Sequence, residues 1–225
     1  QSYLYHLHES IFGHEVVPDF VLMAVFVALL LSSFAFWFRS HISVEKPGKF
    51  QLVLEAVVGA LKGMIVDNIG ARGRPFLGLI GTLGLYILTC NLFGLIPFFS
   101  SPTVNLNFTV GCAVVAFLYY NYQGIRAQGA VNYFRHFLGP LLPLAVVMLP
   151  IEIISHFSRI LSLSLRLFGN IFGEELVIAA LGTMVAYVVP VPMMLFGVFG
   201  ALLQSFVFIM LTMVYIGGAV AIEEH

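Results

Sequence analysis

The sequence has very little charge. Only 9% of its 225 residues are Asp, Glu, Lys or Arg, and 60% are hydrophobic. A soluble globular domain carries about 25% charged residues, because its surface must be covered with polar side chains. The composition therefore excludes a soluble monomer and indicates an integral membrane protein. The net charge of −1 also excludes nucleic-acid binding through a basic surface.

Cysteine is also scarce. Cys90 and Cys112 stand alone in apolar stretches, so we expect two buried free thiols and no disulfide framework. Neither belongs to a metal-like pair, and no cofactor is predicted. His6, His8 and His14 lie in a segment that we expect to be a solvated leader, with metal binding or proton relay as the alternatives. Strict alternation of apolar and polar residues is absent, which argues against a closed β-barrel.

Apolar runs of about 20 residues, the length that crosses a bilayer, are present instead. We expect an all-α integral membrane protein with about five membrane helices and one amphipathic surface helix, forming a single membrane domain. The mixed segment Pro47–Ile69 is the amphipathic one, with a short soluble helix as the alternative. The expected layout is a leader at 1–17, a first span at 18–38, the amphipathic helix and loops at 39–75, a transmembrane pair at 76–122, and two long stretches within 140–222.

The stretch 151–182 contains no proline. As one helix it is about 48 Å long, about half as long again as the hydrocarbon core is thick. It is therefore either a single steeply tilted helix or two spans broken near 169–173, and hydropathy does not decide between them. In the second span, Gly78, Gly81 and Gly84 predict a small-residue face suited to close helix packing.

Eight of the ten basic residues lie in two connecting segments, whereas 1–17 and 99–105 have none. The positive-inside rule then places the N-terminus outside and both segments in the cytoplasm. If each long stretch crosses once, the C-terminus with Glu223 and Glu224 is also cytoplasmic. The eight are Arg39, Lys46, Lys49, Lys62, Arg72, Arg74, Arg126 and Arg135.

The other two, Arg159 and Arg166, fall inside an apolar helix, where a guanidinium costs about 2.5–3.5 kcal/mol or more. Gly169 and Gly173 flank Arg166, so another helix can approach it closely. At about 100° per residue, a polar stripe lies within about 40° of Arg166. It comprises Glu152, Ser155, Arg159, Ser162, Asn170 and Gly173.

Arg159 can alternatively pair with Glu152 through a neighbour. Arg166 has no well-placed carboxylate on its own helix, because Glu174 lies off the stripe and Glu175 points to the opposite face. In the last apolar stretch, Gln204 shares a face with Gly197, Gly200 and Tyr215. A lone Gln there serves helix packing or lines a hydrated path.

The string Ser162-Leu-Ser-Leu-Arg166-Leu-Phe-Gly-Asn170, preceded by Glu152 and followed by Glu175, resembles the signature of subunit a of F-type ATP synthases. The stretch Asn91-Leu-Phe-Gly-Leu-Ile-Pro97 and the region from Gln204 to Tyr215 are also similar. The resemblance covers about residues 76–222, and the first third agrees only in layout. Ile160 stands where members commonly have proline.

This resemblance implies that 140–222 is a long, strongly tilted helical hairpin against a ring of c subunits, which favours the single-helix alternative. Arg166 would match the essential arginine that meets each ring carboxylate and separates two aqueous half-channels. Glu175 and Gln204 would belong to the lining of one half-channel. The lesser candidates for proton translocation are Asn170, Glu152, His156 and Ser155.

The implied protein is a proton-translocating subunit of the Fo sector in a bacterial plasma membrane. Its implied partners are the c-ring, the subunit b stator, other ATP synthase subunits and lipid. It would have no catalytic site, since Gly48-Lys49 is followed by Phe50 and Ser43 stands where the first glycine of a phosphate loop belongs. A secondary transporter and a structural scaffold are the alternatives. The coupling ion, and whether Glu174 or Glu175 is the channel acid, stay open.

Overall fold

Six α-helices and two short 3-10 helices make up the described part of the chain. A computed structural model describes residues 18–42, 48–96, 99, 101–129, 145–184 and 190–220. None of these residues forms a strand, which confirms the predicted all-helical fold. The α-helices are α1 (Asp19–Arg39), α2 (Lys49–Ile69), α3 (Leu77–Gly94), α4 (Leu106–Gln128), α5 (Ala145–Met184) and α6 (Pro190–Val220), and the 3-10 helices span Ala71–Phe76 and Pro102–Val104.

Several predicted features lie outside the described residues. They are the leader at 1–17, the basic residues Lys46 and Arg135, and the C-terminal Glu223 and Glu224.

The helix ends follow from local sequence. Asp19 in the first turn of α1 and Arg39 in its last turn complement the helix dipole. The side chain of Asn105 caps α4 by accepting a hydrogen bond from the backbone N–H of Asn107 at 3.0 Å. Gly70 after α2 and Gly129 after α4 adopt φ of 82° and 81°, a conformation that favours glycine at a helix end.

Three helical segments in the described ranges are long and apolar enough to cross a membrane, namely Asp19–Arg39, Gly73–Gly94 and Pro192–Val220. Helices α4 and α5 have the necessary length, with 23 and 40 residues, but carry more polar side chains. In α5 these include both mid-helix arginines and three glutamates. Polar groups within a membrane bundle mark functional positions, so α5 is where the site should lie.

Helix α5 is continuous from Ala145 to Met184. Of the two alternatives for this region, the structure therefore has the single helix, without a break at Gly169–Gly173. Pro150 lies within it, where it removes one backbone donor in the second turn without ending the helix. Forty residues correspond to about 60 Å, about twice the thickness of the hydrocarbon core.

Helix α6 is the centre of the bundle and packs against α2, α3, α4 and α5. One apolar cluster joins α3, α4, α5 and α6 through residues including Ile87, Ala116, Leu167 and Phe208. A second, around Ile65 and Met213, joins α2, α3, α4 and α6. Van der Waals packing of these side chains helps to hold α5 and α6 in place, because lipid tails provide no hydrophobic driving force between helices.

The three glycines predicted to form a packing face on α3 differ in whether another helix approaches them. A Cβ at Gly84 would overlap the side chain of Ile209 on α6, so this glycine allows the close approach of the two helices. A Cβ at Gly78 or Gly81 would meet nothing within 4 Å. The predicted small-residue face is thus used at one position in this chain. Cys90 and Cys112 are buried free thiols, as predicted.

Candidate functional site

Arg166 lies on an exposed face of α5. Its side chain is exposed, and no carboxylate in the described residues comes within 4.0 Å of it. A Cβ at Gly169 or Gly173 would meet nothing within 4 Å, so this surface is uncovered. Exposed Ser162 and Asn170 lie about one turn to either side of Arg166. Farther round the helix the exposed side chains are apolar: Leu161, Leu165, Phe172 and Leu176. The result is one cation in an exposed polar stripe bordered by an apolar surface, which we call the Arg166 face.

The C-terminal half of α5 meets the N-terminal half of α6 at a contact between glycines and polar side chains. A Cβ at Gly197 would overlap Glu174 Oε1, and a Cβ at Gly200 would lie 3.4 Å from Glu174 Oε2 and 3.7 Å from Asn170 Nδ2. The Glu174 carboxylate thus occupies the space that the missing side chains leave. Its Oε1 is buried and accepts no hydrogen bond from the residues described. We call this contact the hairpin seam.

Gln204 is buried on α6, one turn beyond Gly200. Because Gly200 faces Asn170 and Tyr215 faces Arg159, α5 and α6 run antiparallel here. Gln204 therefore lies between these two points, at the level of the α5 residues around Arg166. Glu175 is half-buried beside Glu174, and the glycine contacts of the hairpin seam are with Glu174.

Arg159 has a different environment. Its guanidinium carbon lies 5.3 Å from the centre of the Tyr215 ring on α6, within the range of a cation–π interaction. A small cavity of about 10 Å³ separates α4, α5 and α6 here and is lined by residues that include Tyr120, Arg159, Thr212 and Tyr215. Glu152 Oε1 instead lies 3.5 Å from His156 Nε2. The described residues contain no direct ion pair between Glu152 and Arg159, and their pairing through a neighbour stays a prediction.

Three polar side chains in contact lie near the N-terminal end of α5. Tyr120 Oη on α4 is 2.9 Å from His156 Nδ1. His156 Nε2 is 3.5 Å from Glu152 Oε1, one turn earlier on α5. His156 is 8% exposed and Tyr120 only 2%. The imidazole thus bridges a partly exposed carboxylate and a buried phenol.

A second buried polar network lies at the C-terminal end of α3. Thr103 Oγ1 donates to Asn91 Oδ1 at 2.8 Å. Ser101 Oγ lies 3.0 Å from the Cys90 carbonyl oxygen and 2.5 Å from Thr103 Oγ1, and its single proton is donated to one or the other. This network anchors the 3-10 helix Pro102–Val104 to α3.

The family model for the ATP synthase A chain matches residues 20–217. A protein of Geotalea daltonii named ATP synthase subunit a is 49% identical over 179 residues, which cover 80% of this chain and 77% of the relative. ATP synthase subunit a 1 of Pelobacter propionicus is 44% identical over 219 residues, or 97% of this chain and 94% of the relative.

The chain belongs to the ATP synthase A chain family. A third relative supports this membership. ATP synthase subunit a of Sulfurimonas denitrificans is 43% identical over 91% of this chain and 90% of the relative. Together with the apolar helices, this membership makes the chain an integral membrane protein and a homologue of a subunit of the ATP synthase complex.

The sequence-predicted site residues divide into three groups in the structure. Arg166 and Asn170 lie on exposed positions of α5, and Asn170 reaches the hairpin seam. Glu175 is half-buried and Gln204 buried near the same seam. Glu152 and His156 contact each other in the N-terminal part of α5, more than two turns from Arg166, and Ser155, which lies between them in sequence, is half-buried.

Sequence reasoning missed Tyr120. Its only signal is a polar aromatic residue within the apolar run 106–122, and that signal does not distinguish Tyr120 from Tyr119. The hydrogen bond to His156 exists because α4 packs against α5, which a single helix pattern cannot predict.

Proposed function

We propose that this chain is the proton-translocating subunit of an ATP synthase membrane sector, in which Arg166 couples proton flow to rotation of a carboxylate-bearing ring. The Arg166 face would lie against that ring. Arg166 would favour the ionised form of each ring carboxylate that passes it and so drive release of its proton. It would also block direct proton passage between two offset aqueous half-channels.

The observation that carries the proposal is the Arg166 face itself. Its cation has no carboxylate partner among the described residues, and the glycines beside it are uncovered. A guanidinium at membrane depth costs several kcal/mol unless a counter-charge or water compensates for it. A partner helix with a carboxylate would fit between Gly169 and Gly173 and supply that compensation.

The length of α5 supports the same arrangement. A 40-residue helix is about twice as long as a perpendicular span requires, so it must lie steeply inclined if it remains within the bilayer. An inclined helix runs along the surface of a ring and can meet more than one ring subunit. We propose that α5 and α6 form this inclined hairpin, with the N-terminus outside and the C-terminus in the cytoplasm.

The hairpin seam would line one half-channel. We propose Glu175 as its acid, with Gln204 and Asn170 as polar lining and Glu174 held against the glycines of α6. Glu152, His156 and Ser155 would serve the proton path at the other end of α5. Subunit b and the remaining ATP synthase subunits are the other proposed partners, and the ATP chemistry would take place on them.

The direct test is Arg166→Ala in the intact ATP synthase of inverted membrane vesicles. We expect ATP-driven proton uptake to be abolished, because nothing then neutralises the passing carboxylate or separates the half-channels, while ATP hydrolysis by the soluble part persists. Arg126→Ala, another exposed arginine at the end of α4, is the matched control and should leave uptake unchanged. Coupled proton uptake retained in the Arg166→Ala vesicles would disprove the proposal.

A further inference from the structure

Tyr120 is hydrogen-bonded to one nitrogen of the His156 ring. The Oη–Nδ1 distance is 2.9 Å, and the two rings stack with centroids 6.0 Å apart and planes at 19°. The edge of Phe117 contacts the other side of the imidazole at 6.0 Å and 82°. Helix α4 therefore fixes both the position and the rotation of the His156 ring.

The other nitrogen faces Glu152. Nε2 lies 3.5 Å from Oε1 of a carboxylate whose side chain is 34% exposed. A neutral or protonated imidazole can hold a proton on either nitrogen, and which nitrogen holds it depends on the partner of the other. Here the two partners differ, because a carboxylate exchanges its proton readily whereas a phenol, with an ordinary pKa of about 10, does not.

The chemistry open to this arrangement is the transfer of one proton. With both nitrogens protonated, Nδ1–H donates to the Tyr120 oxygen and Nε2–H points at the Glu152 carboxylate. Passage of the Nε2 proton to a carboxylate oxygen leaves a neutral imidazole, still protonated on Nδ1, and a neutral carboxyl group. The reverse transfer restores the ion pair, and Tyr120 keeps the same hydrogen bond in both states, so the ring need not turn.

The groups around His156 come from three helices. Tyr120 approaches from α4, Glu152 and Arg159 from α5, and Tyr215 from α6, where its ring lies 6.0 Å from that of Tyr120. Arg159 is directed to the Tyr215 ring at 5.3 Å. Arg159 is also close enough to interact electrostatically with Tyr120 and His156. Among the described residues, Glu152 is the carboxylate within 4.0 Å of the imidazole, and we take it as the group that exchanges protons with His156.

We propose that Tyr120 is a positioning residue for His156, and that His156 transfers protons to and from Glu152 on the proton path. The inference rests on the proposed function, because it names a further residue in the same translocation. Tyr120 does not itself exchange the proton; it orients the ring that does.

Tyr120→Phe is the first test, because it removes one oxygen and keeps the ring. The readout is ATP-driven proton uptake by inverted vesicles containing the whole ATP synthase, measured against pH and divided by ATP hydrolysis and by the amount of chain in the membrane. We expect uptake to fall about two- to tenfold, the value of one net hydrogen bond, and the pH of half-maximal uptake to shift. Tyr119→Phe is the matched control, since its ring packs on Phe76 and it adjoins Tyr120; it should change neither.

A double-mutant cycle separates positioning from general structural support. His156→Gln should lower uptake about tenfold or more, because the transferring group is lost. Adding Tyr120→Phe to His156→Gln should then lower uptake much less than Tyr120→Phe does alone, because the imidazole that Tyr120 positions is absent. If Tyr120→Phe lowers uptake by the same factor in both backgrounds, its role is merely structural and the inference is overturned. Unchanged uptake in Tyr120→Phe alone would also overturn it.

Arg166→Ala in the same vesicles distinguishes this inference from the proposed function. Coupled uptake that survives Arg166→Ala overturns both, because there is then no arginine-dependent translocation for His156 to serve. Abolished uptake in Arg166→Ala, together with normal uptake in Tyr120→Phe, overturns the inference about Tyr120 and leaves the proposed function standing.

Discussion

Arg159 and Arg166 lie seven residues apart on the same stripe of α5, yet their surroundings differ. Arg159 is half-buried, with its guanidinium over the ring of Tyr215 on α6. Arg166 is exposed on a polar stripe, beside two glycines at which an added Cβ would meet nothing within 4 Å. Among the described residues Arg159 therefore has an aromatic partner, whereas no carboxylate lies within 4.0 Å of Arg166.

Under the proposed function, this difference separates a structural cation, Arg159, from a functional one, Arg166. A cation over an aromatic ring contributes about 0.5–2 kcal/mol and helps hold α5 to α6. A cation on an exposed stripe, with no carboxylate beside it, contributes little to the fold of the chain that carries it. Under the proposed function, its presence at that position would be explained by a membrane-embedded counter-charge on another protein.

The largest expected difference is between the two arginine variants. Arg166→Ala should abolish ATP-driven proton uptake, whereas Arg159→Ala should lower it only several-fold, because it loses one cation–π contact. Uptake by inverted vesicles, divided by ATP hydrolysis, measures both. Equal losses of proton uptake in the two variants would show that Arg159 and Arg166 do not differ in role as proposed.

A bulky residue on the Arg166 face should also uncouple the enzyme. Gly169→Leu meets nothing within 4 Å in this chain, so the chain itself should accumulate normally. If a ring helix packs there, the added side chain should push it away and reduce coupled uptake at least about tenfold, since close approach depends on small residues. Gly59→Leu on α2, also open in the structure, is the control. Normal coupling in Gly169→Leu would show that no helix occupies this face.

The hairpin seam offers a comparison of two neighbouring acids. Glu175→Gln should lower proton uptake about three- to tenfold, because an amide keeps the shape but cannot exchange a proton. Glu174→Gln should have a smaller effect, because the isosteric amide still fills the space beside Gly197 and Gly200. Uptake in the two variants, measured side by side, checks the assignment. A larger loss in Glu174→Gln would transfer the role of channel acid to Glu174.

The smallest expected effect is on stability. A Cβ at Gly94 would lie 2.5 Å from the Cβ of Ser101, whose hydroxyl belongs to the buried network at the end of α3. Gly94→Ala should therefore lower the free energy of unfolding by about 1–3 kcal/mol, as overpacking does. Denaturant titration in detergent measures it. Gly81→Ala on the same helix, with nothing within 4 Å, should be neutral, and equal stability of the two variants would contradict the packing described here.

Much of the fold could be predicted because the helical periodicity of a segment can be read from its own sequence. Apolar runs of sufficient length predict the helices, and the stripe that contains Arg159 and Arg166 follows from about 100° per residue. The two buried thiols follow from their apolar neighbours in the same way.

The partner of each face could not be predicted, because it depends on packing between helices distant in sequence. Gly78, Gly81 and Gly84 look equivalent in sequence, but only Gly84 is in close contact, with Ile209. Likewise, Glu174 and Glu175 are adjacent, and only the approach of α6 sets Glu174 apart from Glu175.

The central claim is that the Arg166 face meets the carboxylate-bearing ring. Disulfide cross-linking tests it most directly, because a disulfide forms only when the two Cα atoms come within about 7 Å. Leu165→Cys is exposed beside Arg166, while Leu163→Cys is buried at 3% exposure and is the control. Cys90 and Cys112 are buried at 0% and 7%, so their background should be low. With a cysteine next to the ring carboxylate, we predict a cross-linked product from Leu165→Cys and none from Leu163→Cys. A product from Leu163→Cys alone, or from neither, would contradict the claim.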